Sequence, residues 1–448
     1  MQKHFTFGSF VTAACDGRMH HTVIQNLWKS FCLTDGNLHF TSGEDCTFRL
    51  GNTAMPTVPS DKEYAMRVDE NGVAIVGKDH GGLVRGFMSL LMKIEYADDH
   101  FRVAVGEWNS NYTIKNRMIH ICVFPENDLY FIQKLVRLAG LCQYTHIVLE
   151  FWGMLQYDCL KELAWPHAFS KSEIKPLIDE IRALGMEPIP MFNQLGHATA
   201  SRVCYGKHVV LDQNPRLQEL FTPDGWAWNI HSPKVMTLLR KVRKELYDLF
   251  GAGEYMHIGC DEAYYYTRCD KERAALPQFL HSLTGDVVKE GRRPMLWMDM
   301  LLEQNKYPAC YTTCKPEDVK PLTDALHPTT VTVDWQYDVK QAPVPTLLHL
   351  SNGSHDVIGA PWFTKENYTS HINTVKEHNL FGIMLTTWHT LKTQIPSILG
   401  CAKTCGSTSF TWSEHSGLHE ETATLLRRVS FENNTYVDSG WSKAQIEV

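Results

Sequence analysis

Between Tyr64 and Ile75 apolar residues take every second position: Tyr64, Met66 and Val68 alternate with more polar neighbours, Asn71-Gly72 supplies a turn, and Val73 and Ile75 resume the alternation. That is the period of half-buried strands, so the segment is expected to form a β-hairpin. The period then lengthens. Leu83, Phe87, Leu90, Leu91 and Ile94 form the single apolar stripe of an amphipathic helix able to lie on such a sheet. Residues 1–112 are read as a small α+β domain.

From Arg117 onward short apolar runs are separated by amphipathic stretches. Eight runs stand out: Arg117–Val123, His146–Phe151, Glu187–Phe192, Tyr255–Cys260, Met295–Met298, Thr330–Asp334, Val357–Ala360 and Phe381–Thr387. The stretches between them begin as helices do. Ser170 with Glu173 three residues on reads as a capping box, and Ser232-Pro233 as an N-cap followed by proline at the first helical position. Eight β units alternating with helices predict a (β/α)8 TIM barrel over residues 113–405, close to the roughly 250 residues usual for that architecture. A doubly wound sheet is the alternative, but it calls for a glycine-rich turn after the first strand, where this chain has Phe124-Pro125-Glu126-Asn127. Residues 406–448 are read as a C-terminal extension with a helix from Glu420 to Val429 and a docking residue in Trp441.

Composition narrows the class. A chain of 448 residues that is 44% hydrophobic and 21% charged is globular, and a net charge of −7 argues against a nucleic-acid partner. No stretch is long and apolar enough to suggest a membrane span, and the start lacks the apolar core of a leader. Thirteen cysteines, several inside apolar runs as at Cys122, Cys142 and Cys260, suit reduced thiols, so a cytoplasmic location is expected. The Cys310-x3-Cys314 and Cys401-x3-Cys405 spacings lack the further ligands that zinc needs, and no phosphate-binding or dinucleotide motif occurs. No metal and no cofactor are expected.

A barrel carries its chemistry at the carboxyl ends of its strands. In order, those ends offer Arg117, Glu150, Asn193 with His197, Asp261-Glu262, Trp297 with Asp299, Trp335 with Tyr337, Trp362 and Trp388. Four tryptophans at four successive strand ends, beside acids and an arginine, make a site suited to a sugar ring, whose C–H faces pack on indole while its hydroxyls need polar partners. Taken singly, each has a blander reading: tryptophans fill barrel cores, adjacent acids mark solvated turns, and a lone histidine is usually structural.

The stretch His257-Ile258-Gly259-Cys260-Asp261-Glu262 resembles the His-x-Gly-Gly-Asp-Glu signature of glycoside hydrolase family 20, the β-N-acetylhexosaminidases. Arg117, Leu195-Gly196-His197, Trp297, Trp335 and Trp388 match in order along the chain, and Gly77 to Leu83 resembles the family's non-catalytic N-terminal domain, so the likeness runs from about residue 60 to 400. The resemblance implies removal of a terminal N-acetylglucosamine or N-acetylgalactosamine with retention, the substrate's own acetamido oxygen acting as nucleophile. Glu262 would be the general acid/base, and Asp261 would hold the acetamido N–H and stabilise the oxazolinium intermediate. Arg117 would bind the C3 and C4 hydroxyls, His197 would tune the acid, and Trp297, Trp335 and Trp388 would wall the pocket, while Trp362 is a substrate-binding candidate from its strand-end position alone. Tyr337 would donate to the acetamido oxygen, although the family places that tyrosine near strand seven.

Several positions depart from the family pattern. Cys260 stands for the second glycine, Asn193 for an aspartate, and Glu150 replaces an aspartate that would partner His197. The strand-eight Trp-x-Glu becomes Trp388-His389-Thr390, leaving recognition at C4 and C6 undefined. These changes suggest a divergent intracellular branch. A barrel that binds amino sugars without cleaving them, and a glycosidase for a decorated, for example sulfated, hexosamine, stay open as alternatives. So does a homo-oligomer.

Overall fold

The computed structural model describes residues 2–15, 18–31, 38–42, 45–51, 56–198, 214–268, 270–308, 310–388, 391–406, 410–411 and 413–429. His389, Thr390 and Trp441 lie outside them. The N-terminal part holds strands β1 (His4–Phe7), β2 (Val11–Cys15), β3 (Leu38–Phe40), β4 (Phe48–Leu50), β5 (Tyr64–Asp69), β6 (Gly72–Gly77), β7 (Glu95–Ala97), β8 (His100–Ala104) and β9 (Gly106–Asn109). They form a six-stranded sheet in the order β3-β2-β4-β6-β5-β9 and a three-stranded sheet in the order β1-β8-β7. The expected hairpin is β5–β6. Its register puts Asp69 opposite Gly72, and Gly72 has φ 141°, where an added Cβ would fall 2.8 Å from the Thr47 carbonyl oxygen. Helix His80–Leu91 buries Leu83, Phe87, Leu90 and Leu91, and its N-cap Asp79 accepts from the Gly82 amide.

The barrel closes through eight parallel strands: β10 (Asn116–Cys122), β11 (His146–Glu150), β12 (Glu187–Met191), β13 (Tyr255–His257), β14 (Arg293–Trp297), β15 (Val331–Asp334), β16 (Asp356–Gly359) and β17 (Gly382–Leu385). Each overlaps one of the eight apolar runs, and β17 returns to pair with β10, which excludes the doubly wound sheet. Alternation along the strands sorts two environments. Met118, Val148, Ile189, Met191, Tyr255, Met295, Trp297, Val331, Val333, Ile358 and Met384 fill the interior, and their neighbours face the helices. Helix Lys171–Ala183 opens with the expected Ser170–Glu173 capping box. Helix Pro233–Phe250 has proline at its first turn, but the Ser232 side chain makes no cap bond. Helix Leu418–Arg428 follows the barrel, and no described helix is long and apolar enough to cross a membrane.

Strand alternation corrects one residue. Arg117 was expected at the sugar, but it is the second residue of β10, at the amino end, and its parity is opposite to that of interior Met118. Its buried guanidinium donates to the carbonyls of Gln143 (2.9 Å) and Ile114 (2.6 Å), lies 3.3 Å from the Tyr112 ring centroid and faces Glu63 at 3.5 Å. Glu63 also binds Arg85 and Tyr112, and despite burial, which opposes its charge, Arg85 and Arg117 hold its carboxyl below the usual range. Arg117 therefore ties the barrel floor to the N-terminal sheets.

Candidate active site

Two loops interlock at the carboxyl end of the barrel because two glycines let them approach. A Cβ on Gly259, which has φ 65°, would fall 2.0 Å from Asn193 Oδ1, and a Cβ on Gly196 would fall 1.8 Å from the Asp261 carbonyl oxygen. Neither position accepts a larger residue. The strand that was expected to reach Cys260 stops at His257, because the chain then turns through left-handed conformations at Gly259, Cys260 (φ 78°) and Glu262 (φ 50°). His197 across the gap has φ 52°. Non-glycine residues in this region carry strain of roughly 1–3 kcal/mol each and concentrate where geometry serves function.

The result is a compact charged cluster. His197 Nε2 lies 3.3 Å from Asp261 Oδ2 and 3.1 Å from Glu262 Oε2. Burial opposes a charge on the imidazole, but the two carboxylates overcome it and push His197 up to about 10, so the ring is a cation at neutral pH. Asp261 Oδ1 has no partner among the described residues, leaving an open acceptor inside the site. Its carboxyl is raised by burial, with His197 pulling it down and Glu262 and Glu150 pushing it further up. The Glu262 side chain keeps 30% exposure and takes the Tyr264 hydroxyl at 3.3 Å on Oε1, so this acid reaches the mouth.

Asp299 positions Glu262 from behind. Its Oδ2 accepts the Glu262 amide at 2.8 Å and its Oδ1 accepts the Trp335 indole N–H at 3.2 Å. Burial, then the neighbouring Asp261, holds the Asp299 carboxyl well above its ordinary value. The residue was visible at the end of strand five, yet only its hydrogen bonds give it a role.

The aromatic residues gather as expected. Trp297 and Trp388 have ring centroids 6.0 Å apart, Tyr337 lies 5.4 Å from Trp335 and 5.2 Å from Trp362, and Trp388 Nε1 donates to the Tyr337 hydroxyl at 3.1 Å. Tyr337 thus fastens the two halves of the wall.

Glu150 behaves differently from its expected pairing with His197. Its Oε2 accepts from His120 Nε2 at 2.9 Å, while Oε1 accepts from Asn193 Nδ2 at 2.6 Å and from the Trp152 indole. The Asn193 that stands for an aspartate is consistent with this, since an acid there would repel Glu150. His197 instead packs between Trp226 (4.2 Å) and Trp152 (5.9 Å).

His120, Trp152, Trp226 and Tyr264 were missed. His120 faces inward two residues before its strand ends, beside Trp388 at 4.8 Å, while Trp152 and Tyr264 begin short helices after their strands and Trp226 sits on a loop. Interior parity alone would have found His120. Among the described residues the group able to hold a metal ion is His120, Cys122 and Glu150, whose ligand atoms lie within 4.8 Å of one another. Both Glu150 oxygens already serve as acceptors there, so the three residues form a hydrogen-bonded cluster as they stand.

Comparison with known proteins agrees with this geometry. The bovine (Bos taurus) protein Hexosaminidase D is 27% identical over 169 residues, covering 35% of this chain and 46% of that protein, so the chain spans about half the length of the curated relative it matches. The family 20 β-N-acetylhexosaminidase of Streptomyces coelicolor A3(2) superposes with a TM-score of 0.71 at 15% identity, over 97% of this chain and 95% of that one. The β-N-acetylhexosaminidase of Bacteroides fragilis gives 0.70 at 14% identity over 99% and 93%. At such identities the likeness establishes the fold. The catalytic domain of glycosyl hydrolase family 20 matches residues 149–425, more than half of the sequence, and with the Asp261-Glu262 turn at the barrel's carboxyl end this chain belongs to glycoside hydrolase family 20.

Proposed function

We propose that this protein is an exo-acting β-N-acetylhexosaminidase that removes a terminal N-acetylglucosamine or N-acetylgalactosamine with retention. The observation that carries the reading is the pair of adjacent acids with divided tasks: Asp261 is held by His197 through Oδ2 while Oδ1 stays open, and Glu262 reaches the mouth. An open, buried carboxylate oxygen is what an acetamido N–H needs to be turned toward the anomeric carbon. The acetamido oxygen then attacks C1, Glu262 protonates the departing oxygen, and Asp261 balances the positive charge of the oxazolinium ring. In the second half Glu262 takes a proton from the water that opens that ring. The wall of Trp297, Trp335, Trp362 and Trp388 encloses a pyranose and excludes water, with the Tyr337 hydroxyl set beside the acetamido group.

A proton donor in contact with the cluster also distinguishes this site from one that only binds amino sugars. Release of nitrophenol from the N-acetylglucosaminide, the N-acetylgalactosaminide and the plain glucoside tests the reading. Cleavage is expected only with the acetamido group present, with inhibition by an oxazoline-mimicking thiazoline. Glu262→Gln and Asp261→Asn should each cost on the order of 10²-fold or more in kcat. Unaltered turnover in Glu262→Gln would overturn the assignment. We place the enzyme in the cytoplasm, in support of which none of the ten cysteines described is in a disulfide, although Cys401 and Cys405 lie one helical turn apart.

A further inference from the structure

A second polar cluster lies where β10 and β11 end, and the hydrolase chemistry makes no use of it. His120 and Cys122 are two residues apart on β10, so they project to the same side of the strand, into the barrel, and Cys122 stands opposite Glu150, the last residue of β11. All three side chains are buried. A ring nitrogen, the thiol sulfur and a carboxylate oxygen thereby come within 4.8 Å of one another.

The protein's own groups do not complete this cluster. Glu150 Oε2 accepts from His120 Nε2 at 2.9 Å and the Cys122 thiol bonds to the same carboxylate, yet His120 Nδ1 is buried with no partner among the described residues. Buried polar atoms are rarely left so, and an ion is one of the things that accounts for them. The donors are the three kinds that zinc takes. Ligands sharing a tetrahedral zinc sit roughly 3.3–3.6 Å apart, so side-chain shifts of about an ångström turn one arrangement into the other.

The groups around the cluster are those a metal site needs. Glu150 Oε1 is held by Asn193 Nδ2 at 2.6 Å and by the Trp152 indole, which leaves Oε2 turned to His120. Thr387 Oγ1 accepts the Cys122 amide at 3.3 Å and donates to the His120 carbonyl at 2.9 Å, which fixes the end of β10. Ligating carboxylates are themselves hydrogen-bonded in this way. Trp388, whose ring lies 4.8 Å from that of His120, belongs to the wall of the sugar pocket, so an ion entering by that pocket reaches the cluster.

We infer that His120, Cys122 and Glu150 form a binding site for one divalent cation of the zinc class, which clamps β10 to β11 beside the sugar pocket. Binding of the ion releases one proton, from the Cys122 thiol, and the resulting thiolate and the Glu150 carboxylate together neutralise its two charges. His120 enters as neutral imidazole and keeps its single proton on the nitrogen that does not ligate. The site is independent of the hydrolase reading above.

The test uses the full chain without an affinity tag, stripped with a chelator and titrated with Co2+ as the probe. A thiolate-to-cobalt absorption band that saturates at one ion per chain and bleaches on addition of Zn2+ is expected, and Zn2+ should raise the thermal midpoint. Cys122→Ser should abolish the band. Asn193→Ala should keep it but weaken cobalt binding by about 10- to 100-fold, the effect of losing a bond that orients a ligand. Absence of the band in the wild type overturns the site, and so does a full-strength band in Cys122→Ser, which would show that another cysteine holds the ion. Should Cys122→Ser not fold, His120→Gln decides: cobalt affinity equal to that of the wild type overturns the site as well.

Discussion

His197 Nε2 sits between Asp261 Oδ2 at 3.3 Å and Glu262 Oε2 at 3.1 Å, so one imidazolium serves both acids of the proposed reaction. Its charge favours the ionised form of each carboxyl. In His197→Gln that pull is lost and both acids should titrate higher. Asp261 must be ionised to stabilise the intermediate, so the acid limb of kcat/KM against pH moves up. Glu262 must be protonated to donate, so the alkaline limb moves up as well. A displacement of both limbs by on the order of one pH unit, with kcat about 10-fold lower at neutral pH, is the expected profile. Limbs that stay in place would show that His197 only packs the loop.

Asp299 offers a separate prediction because it receives two buried donors, the Glu262 amide and the Trp335 indole. Asp299→Ala leaves both unsatisfied, each costing about 1–3 kcal/mol. Loss of kcat by roughly 10-fold or more, together with a lowered thermal midpoint, is expected. Asp299→Asn keeps one acceptor and should fall between wild type and alanine in both measurements. An alanine variant that lost stability but kept full kcat would place Asp299 in support of the fold alone.

The architecture was legible because both sheet classes announce themselves by period. Tyr64 to Ile75 alternates as a half-buried hairpin does, whereas the barrel strands, buried on both faces, read as continuous runs such as Ile147–Leu149. Asp261, Glu262, His197 and the tryptophans were readable because the site is built at strand ends. What the sequence hid is direction across the strand. Arg117 and Met118 are neighbours in one apolar run, and only pairing against β17 shows which of them faces the interior. The bonding of Glu150 was hidden for a related reason: its partner His120 lies thirty positions away, on the adjacent strand. Loop contributors such as Trp226, which donates to the Glu262 carbonyl at 2.8 Å, have no periodic signal at all.

The correction at Arg117 leads to its own test. A sugar-binding arginine and a domain-tying arginine respond differently to Arg117→Met. The structure expects the second: a buried guanidinium is removed from Glu63 and from the carbonyls of Gln143 and Ile114, at a cost of about 3–5 kcal/mol. The thermal midpoint should drop by several degrees. KM, measured well below that midpoint, should change by less than about two-fold, since no uniform binding contact is lost. A large rise in KM in a stable variant would return Arg117 to the sugar.

Asp334 sets a pH dependence of stability away from the chemistry. It closes β15, turned outward from the barrel, where Thr346 and Gln336 donate to its oxygens, and burial pushes its carboxyl from the ordinary 3.8 up to about 7. A folded value above the unfolded one means that the native state prefers the protonated acid. The associated stability is fully present below about pH 3.8 and is lost as the pH rises through about 7, by on the order of 4 kcal/mol in all. Asp334→Asn keeps the shape and removes the ionisation. Urea unfolding should therefore show a variant less stable than the wild type near pH 4, by on the order of 2 kcal/mol for the imperfect amide contacts, and more stable than it at pH 8 by a similar amount. A variant that is less stable than wild type at pH 8 would mean that the Thr346 and Gln336 bonds outweigh burial and that Asp334 is ionised in the folded protein.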